Sequence, residues 1–167
     1  MVDNVRGSIV SIVIAILVIA LSIPLWNLSE GKVGASIASS YADMDISVSF
    51  DGFADLLVID DSKSNMVDDT VVSLRNPSGS DKKYDFAFAY AKDSTMDYSN
   101  IRINYNGTIY NLGEMNYIEK DNYYLFVIDS NTLTSYTNKD YKLKVYLNND
   151  NNKLDYSSSL TATFVAI

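Results

Sequence analysis

The chain has 167 residues, thirteen of them Tyr, and a formal charge of −8 with neither Cys nor His. Lack of Cys rules out a disulfide, a thiolate nucleophile and a Cys-type zinc site, and lack of His removes the usual general base near neutral pH. The acidic balance repels phosphate backbones, so nucleic acid is not an expected partner, and no cofactor is expected.

Residues 1–7 form a short tail in which Arg6 is the one basic side chain. Ser8 to Leu28 then carries no charge and is built from Ile9, Val10, Ile12, Val13, Ile14, Ile16, Leu17, Val18, Ile19, Leu21 and Ile23, with Trp26 near its outer end. As a helix these 21 positions span about 30 Å, the hydrocarbon thickness of a bilayer. An interfacial Trp and a Pro close to the end suit a retained spanning helix. A cleaved signal peptide competes, with small residues at Val33/Ala35, Ser36/Ala38 and Ser40/Ala42 for its cleavage site, but its apolar region is normally shorter and its flank more basic. Membrane lipid is therefore the expected partner of residues 8–28. Arg6 on the near side predicts a cytoplasmic tail and a single-pass protein with an extracytoplasmic C-terminal domain.

Arg6-Gly7 directly before the apolar run, with Ser8 as first mature residue, resembles a type IV pilin-type processing site. The bacterial pattern has Glu at the fifth mature residue, where this chain has Ile12. The resemblance is thus to archaeal pilins and archaellum-associated proteins, which often lack that Glu. Residues 29–44 are expected to be a linker or a helical stem. Val33, Ile37, Tyr41 and Met44 recur at helical spacing, whereas Gly31 and Gly34 favour a flexible tether.

From Asp45 to Ile167 the period becomes two, as in half-buried strands. Ile46, Val48 and Phe50 alternate with polar residues, Leu56 to Ile59 is a continuous apolar run, and Thr70 to Leu74 follows a polar loop over 60–69. Asn76-Pro77-Ser78-Gly79 predicts a turn. Tyr84, Phe86, Phe88 and Tyr90 place aromatics on one face, with Asp85, Ala87 and Ala89 on the other. Ile101 to Tyr105, Asn106-Gly107 and Ile109 predict a two-residue hairpin. Tyr123 to Asp129, Tyr141 to Leu147 and Leu160 to Val165 supply further strands, and Asn148 to Asn152 a solvated tip. The expected fold is mainly β: one N-terminal apolar α-helix, then an antiparallel β-sandwich of Ig-like architecture with seven to nine strands and no disulfide.

Few residues suggest chemistry. Asp60, Asp61, Asp68 and Asp69 flank one loop and are candidates for calcium, as are Asp150, Asn152 and Asp155. However, Lys63 and Lys153 sit inside those loops, and no EF-hand Gly or terminal Glu is present. Ser80 and Lys83 have S-x-x-K spacing but lie in a turn rather than at the start of a helix. The tyrosines suit packing or sugar stacking, with Tyr84, Tyr90 and Tyr105 inward and Tyr98, Tyr123 and Tyr124 freer. Asn27 and Asn106 each begin a glycosylation sequon, the latter at a hairpin tip.

The arrangement of a basic-Gly start, apolar helix and Tyr-rich strands is similar to that of membrane-anchored Ig-like surface proteins of Gram-positive bacteria and of archaeal pilin-like and archaellum stator proteins. That resemblance implies a non-catalytic role at the envelope. The sandwich would contact a protein partner at the cell surface or like subunits. The alternatives are a pilin-like filament subunit and a glycan- or calcium-dependent adhesin.

Overall fold

Alternation along the polar part of the chain becomes paired strand because two sheets give each apolar row something to face. The computed structural model describes residues 32–33, 35–37, 46–53, 56–148 and 154–167, within a unit that begins at Lys32. The apolar segment 8–28, the Arg6-Gly7-Ser8 site, Asn27, Tyr41, Met44, Asp150 and Asn152 lie outside the described residues. Among the described residues no helix is long and apolar enough to cross a membrane.

The first strands are β1 (Lys32–Val33), β2 (Ala35–Ile37), β3 (Ser47–Phe50), β4 (Leu56–Leu57) and β5 (Thr70–Arg75). β6 (Lys82–Ala91), β7 (Ile101–Tyr105), β8 (Thr108–Asn111) and β9 (Ile118–Lys120) follow, then β10 (Tyr123–Leu133), β11 (Asn138–Leu147) and β12 (Leu160–Ala166). They make two five-stranded sheets, ordered β2-β12-β6-β10-β9 and β3-β5-β11-β7-β8, with β1 and β4 paired separately. The strand pairs are antiparallel except β2 with β12.

The described residues thus form twelve strands rather than the seven to nine expected. The additional ones, β1, β2 and β9, are two or three residues long, too short for any period to show. Lys32–Val33 and Ala35–Ile37 are extended and paired, so the helical spacing of Val33 and Ile37 does not correspond to a stem there. The polar loop also winds Asp61–Met66 into a 3-10 helix.

One core lies between the sheets. β6 contributes Tyr84, Phe86, Phe88 and Tyr90, and β11 contributes Tyr141, Leu143, Val145 and Leu147. The Phe86 ring stacks on Tyr141 of the opposite sheet at 3.9 Å. Phe164 on β12 sits 5.4 Å from both Phe86 and Phe88 and edge-on to Phe50. Each such ring removes well over 100 Å² from water, about 2–3 kcal/mol of transfer free energy, plus a further contribution from ring geometry. The outer face of this sheet has an apolar patch too: Ala87 and Ala89 of β6, Leu125 of β10 and Val165 of β12 form a second, smaller cluster with Tyr123, Val127 and Ile167 at its margin.

The predicted turn at Asn76-Pro77-Ser78-Gly79 carries the chain from β5 in one sheet to β6 in the other. Its first residue does more than turn the chain. Fully buried Asn76 donates from Nδ2 to the carbonyls of Ser80, Leu133 and Thr134 at 2.8, 3.0 and 3.1 Å. Its Oδ1 accepts from the Ser78 N–H and hydroxyl. Because Leu133 and Thr134 begin the β10–β11 crossover, one amide joins both crossovers at this end of the sandwich.

The hairpin forms as expected. Tyr105 pairs with Thr108 across a two-residue loop. Asn106 and Gly107 have φ of 53° and 82°, the positive pair that a type I′ turn requires.

Candidate functional site

Side chains at positions 124, 90 and 119 stand in one cross-strand row, since Glu119 pairs with Tyr124 and Tyr124 with Tyr90. Where this row passes β9, the outermost strand of its sheet, aromatic rings continue from the core to the surface. Phe126 is fully buried. Tyr98, on the short 3-10 helix Tyr98–Asn100, lies 5.3 Å from it, and Tyr117 lies 5.8 Å from it. Tyr117 packs on Tyr124 at 4.6 Å and is 45% exposed. Ile118, 47% exposed, belongs to the Leu125 row on the other side of the sheet, so this edge offers apolar groups both ways.

Local chemistry holds the rings in place. Asp97 caps the short helix by accepting from the Ser99 N–H at 2.9 Å, which fixes where Tyr98 leaves the chain. Tyr90 donates its hydroxyl to the Met96 carbonyl, and burial raises its pKa, so it stays a neutral donor. Lys92 donates to Glu119 at 2.5 Å and to the Asp121 carbonyl, with its ammonium 5.3 Å from the Tyr124 ring.

Among the freer tyrosines, Tyr98 and Tyr124 come together here, while Tyr123 turns to the outer cluster. Tyr84 and Tyr90 are core residues, and Tyr105 is half-buried against the core. Tyr117 was not legible, because Met115-Asn116-Tyr117 alternates with nothing and only the fold of the preceding turn brings it to Tyr124.

The acidic loop is organised by cations and donors of the protein itself. Asp61 Oδ1 accepts from the Tyr146 hydroxyl at 3.0 Å and from Asn148 Nδ2 at 2.9 Å, and lies 3.7 Å from Arg102 Nε. Burial, followed by the bond to Asp61, raises the Tyr146 pKa well above that of a free phenol. Asp69 pairs with Lys144 at 3.3 Å, and that ammonium also reaches the Val67 carbonyl. Asp60 and Asp68 join neither group, and no three acidic side chains converge among the described residues. Asp155 is engaged by Ser157 at 2.6 Å, and Ser80 and Lys83 lie in the turn and at the start of β6 as expected. Asn106 is exposed at its tip.

A second polar cluster lies within the sandwich. Tyr141 donates to Asp129 Oδ2 at 2.7 Å, so the 2.7 Å contact between the Tyr84 and Tyr141 hydroxyls is donated by Tyr84. Lys139 completes the group at 3.2 Å from Asp129, over the Tyr141 ring at 4.5 Å. Burial by itself would raise the Asp129 pKa, but the Tyr141 hydroxyl and the Lys139 ammonium outweigh it and hold the carboxyl below its ordinary value. Lys139 is raised, its desolvation being overcome by Asp129 and Tyr84. This group ties β6 and β10 of one sheet to β11 of the other.

The chain matches no protein-family model, no curated protein and no solved structure.

Proposed function

We propose that this is a non-catalytic, membrane-anchored cell-surface protein whose exported β-sandwich makes protein contacts at the envelope, with the tyrosine edge around Tyr117 as the contact surface. The observation that carries this is the half-exposed Tyr117, backed by Tyr124 and Tyr98 and continuous with the core ring of Phe126. Tyr is enriched at protein interfaces because it brings large contact area with few rotatable bonds. Two sheets around one core, Ig-like in that broad sense, present such edges to partners while the core stays closed. The uncharged run from Ser8 to Leu28 supplies the anchor. With Asp61 and Asp69 held by Arg102 and Lys144, a calcium-dependent adhesin has little support.

The test places a photocrosslinking amino acid at position 117, and a control at Arg75 in β5 of the other sheet, in the full chain on intact cells. A discrete protein adduct from 117 and none from 75 is expected, with the chain staying in the membrane pellet after alkaline carbonate extraction. Equal adducts from both positions would overturn the choice of surface, and release by carbonate would overturn the anchor.

A second reading, a pilin-like filament subunit, is favoured by Arg6-Gly7 standing directly before the uncharged run. Intact mass decides it: loss of Met1 to Gly7 supports a processed subunit, and an untouched terminus refutes one.

A further inference from the structure

Asn-Gly is the dipeptide most prone to convert itself, because glycine puts no side chain in the way of its own nitrogen. Here that dipeptide is exposed, and nothing stands within 4 Å of where a Cβ on Gly107 would be. Access alone therefore does not protect it. The conversion begins when the Gly107 nitrogen loses its proton to hydroxide and attacks Asn106 Cγ. A new N–Cγ bond closes a five-membered imide, the Cγ–Nδ2 bond breaks, and that nitrogen leaves as ammonia. Water then opens the imide at either carbonyl to give aspartate or isoaspartate. One water enters and one ammonia leaves, with no change of oxidation state.

The attacking nitrogen is held by another side chain. Gly107 donates its N–H to Asn104 Oδ1 at 3.1 Å. Asn104 in turn donates from Nδ2 to the hydroxyl of buried Ser64 at 3.2 Å, which keeps its carbonyl end aimed at the turn. Reaction requires Gly107 to give up that proton and swing toward Asn106, against both the hydrogen bond and the positive φ of the turn. We propose that Asn104, steadied by Ser64, guards the Asn106-Gly107 tip against intramolecular deamidation and so preserves Asn106 as an amide. Failure of the guard adds a negative charge to the tip and ends Asn106-Gly107-Thr108 as a glycosylation acceptor. The isoaspartate product also inserts a methylene into a loop whose register depends on having two residues.

The test incubates the full chain in mild detergent at mildly alkaline pH and follows the tryptic peptide 103–120 by mass spectrometry, with fragment ions locating the change at Asn106. Asn104→Ala is expected to deamidate about fivefold faster, the factor that one ordinary net hydrogen bond represents. Asn104→Asp keeps an oxygen acceptor and is expected to return the rate toward that of the unsubstituted chain. In denaturant all three chains should react at one common rate. An Asn104→Ala rate equal to the unsubstituted one would overturn the proposal. So would equal acceleration by Ala and Asp, which would assign the effect to a loosened hairpin.

Discussion

Asn76→Ala isolates the contribution of the amide that joins the two crossovers. Asn76 Nδ2 has two hydrogens shared among three carbonyl acceptors, and the Leu133 bond is the most deeply buried of them. Counting two net hydrogen bonds at about 1 kcal/mol each, and about 1 kcal/mol for a carbonyl left unpaired away from water, gives a loss of about 3 kcal/mol. The bonds that Ser78 makes to Oδ1 are nearer solvent, and water replaces them at little cost. Such a loss is a large share of a typical domain stability of about 5–15 kcal/mol. Urea denaturation of the full chain in detergent, followed by far-ultraviolet circular dichroism, measures it. Asn76→Asp should be worse above the ordinary aspartate range of about pH 4, because unfolded chains then ionise freely while the buried acid faces carbonyl oxygens that oppose its ionisation. Partial recovery is expected on acidification, as a protonated acid can donate again. A loss below about 1 kcal/mol for Asn76→Ala would refute the hub argument, since one ordinary hydrogen bond already accounts for that.

Asp129 should make stability fall in acid. Its folded pKa is lowered, so its contribution is present above the ordinary value of 3.8 and is lost as pH falls through the folded value. Asp129→Asn should flatten the acid limb of a melting-temperature profile. Tyr141 predicts the alkaline limb: burial, then its bonds to Tyr84 and Asp129, raise its pKa, so stability drops once unfolded chains ionise above 10.0. Tyr141→Phe keeps the stack on Phe86 and should cost about 1 kcal/mol at neutral pH, while melting less steeply with rising pH. Gly107→Ala should cost about 1 kcal/mol in the same denaturation assay, through its positive φ rather than through any clash.

Wherever side chains alternated against a buried neighbour, the fold was legible in advance. Tyr84, Phe86, Phe88 and Tyr90 share the core face as their spacing requires, and Asn106-Gly107 turns as its backbone preferences require. Strands β1, β2 and β9 were not legible, because two or three residues are held by their partners' ladders and not by any pattern of their own. The acidic loop shows the same limit for a candidate site. Its carboxylates were visible, but Arg102 and Lys144, which occupy Asp61 and Asp69, come from β7 and β11, far along the chain.

By itself the amino-acid sequence determined strand periodicity, the hairpin tip, the absence of thiol and imidazole chemistry, and one uncharged stretch long enough to span a bilayer. These follow from local sterics and composition, which need no knowledge of neighbours. Tertiary structure alone decided which strands share a sheet, that Asn76 ties two crossovers together, that Asn104 reaches the Gly107 amide, and that Tyr117 joins Tyr98 and Tyr124. Each of these depends on side chains meeting across a fold, and such meetings are set by sheet pairing and burial rather than by spacing along the chain.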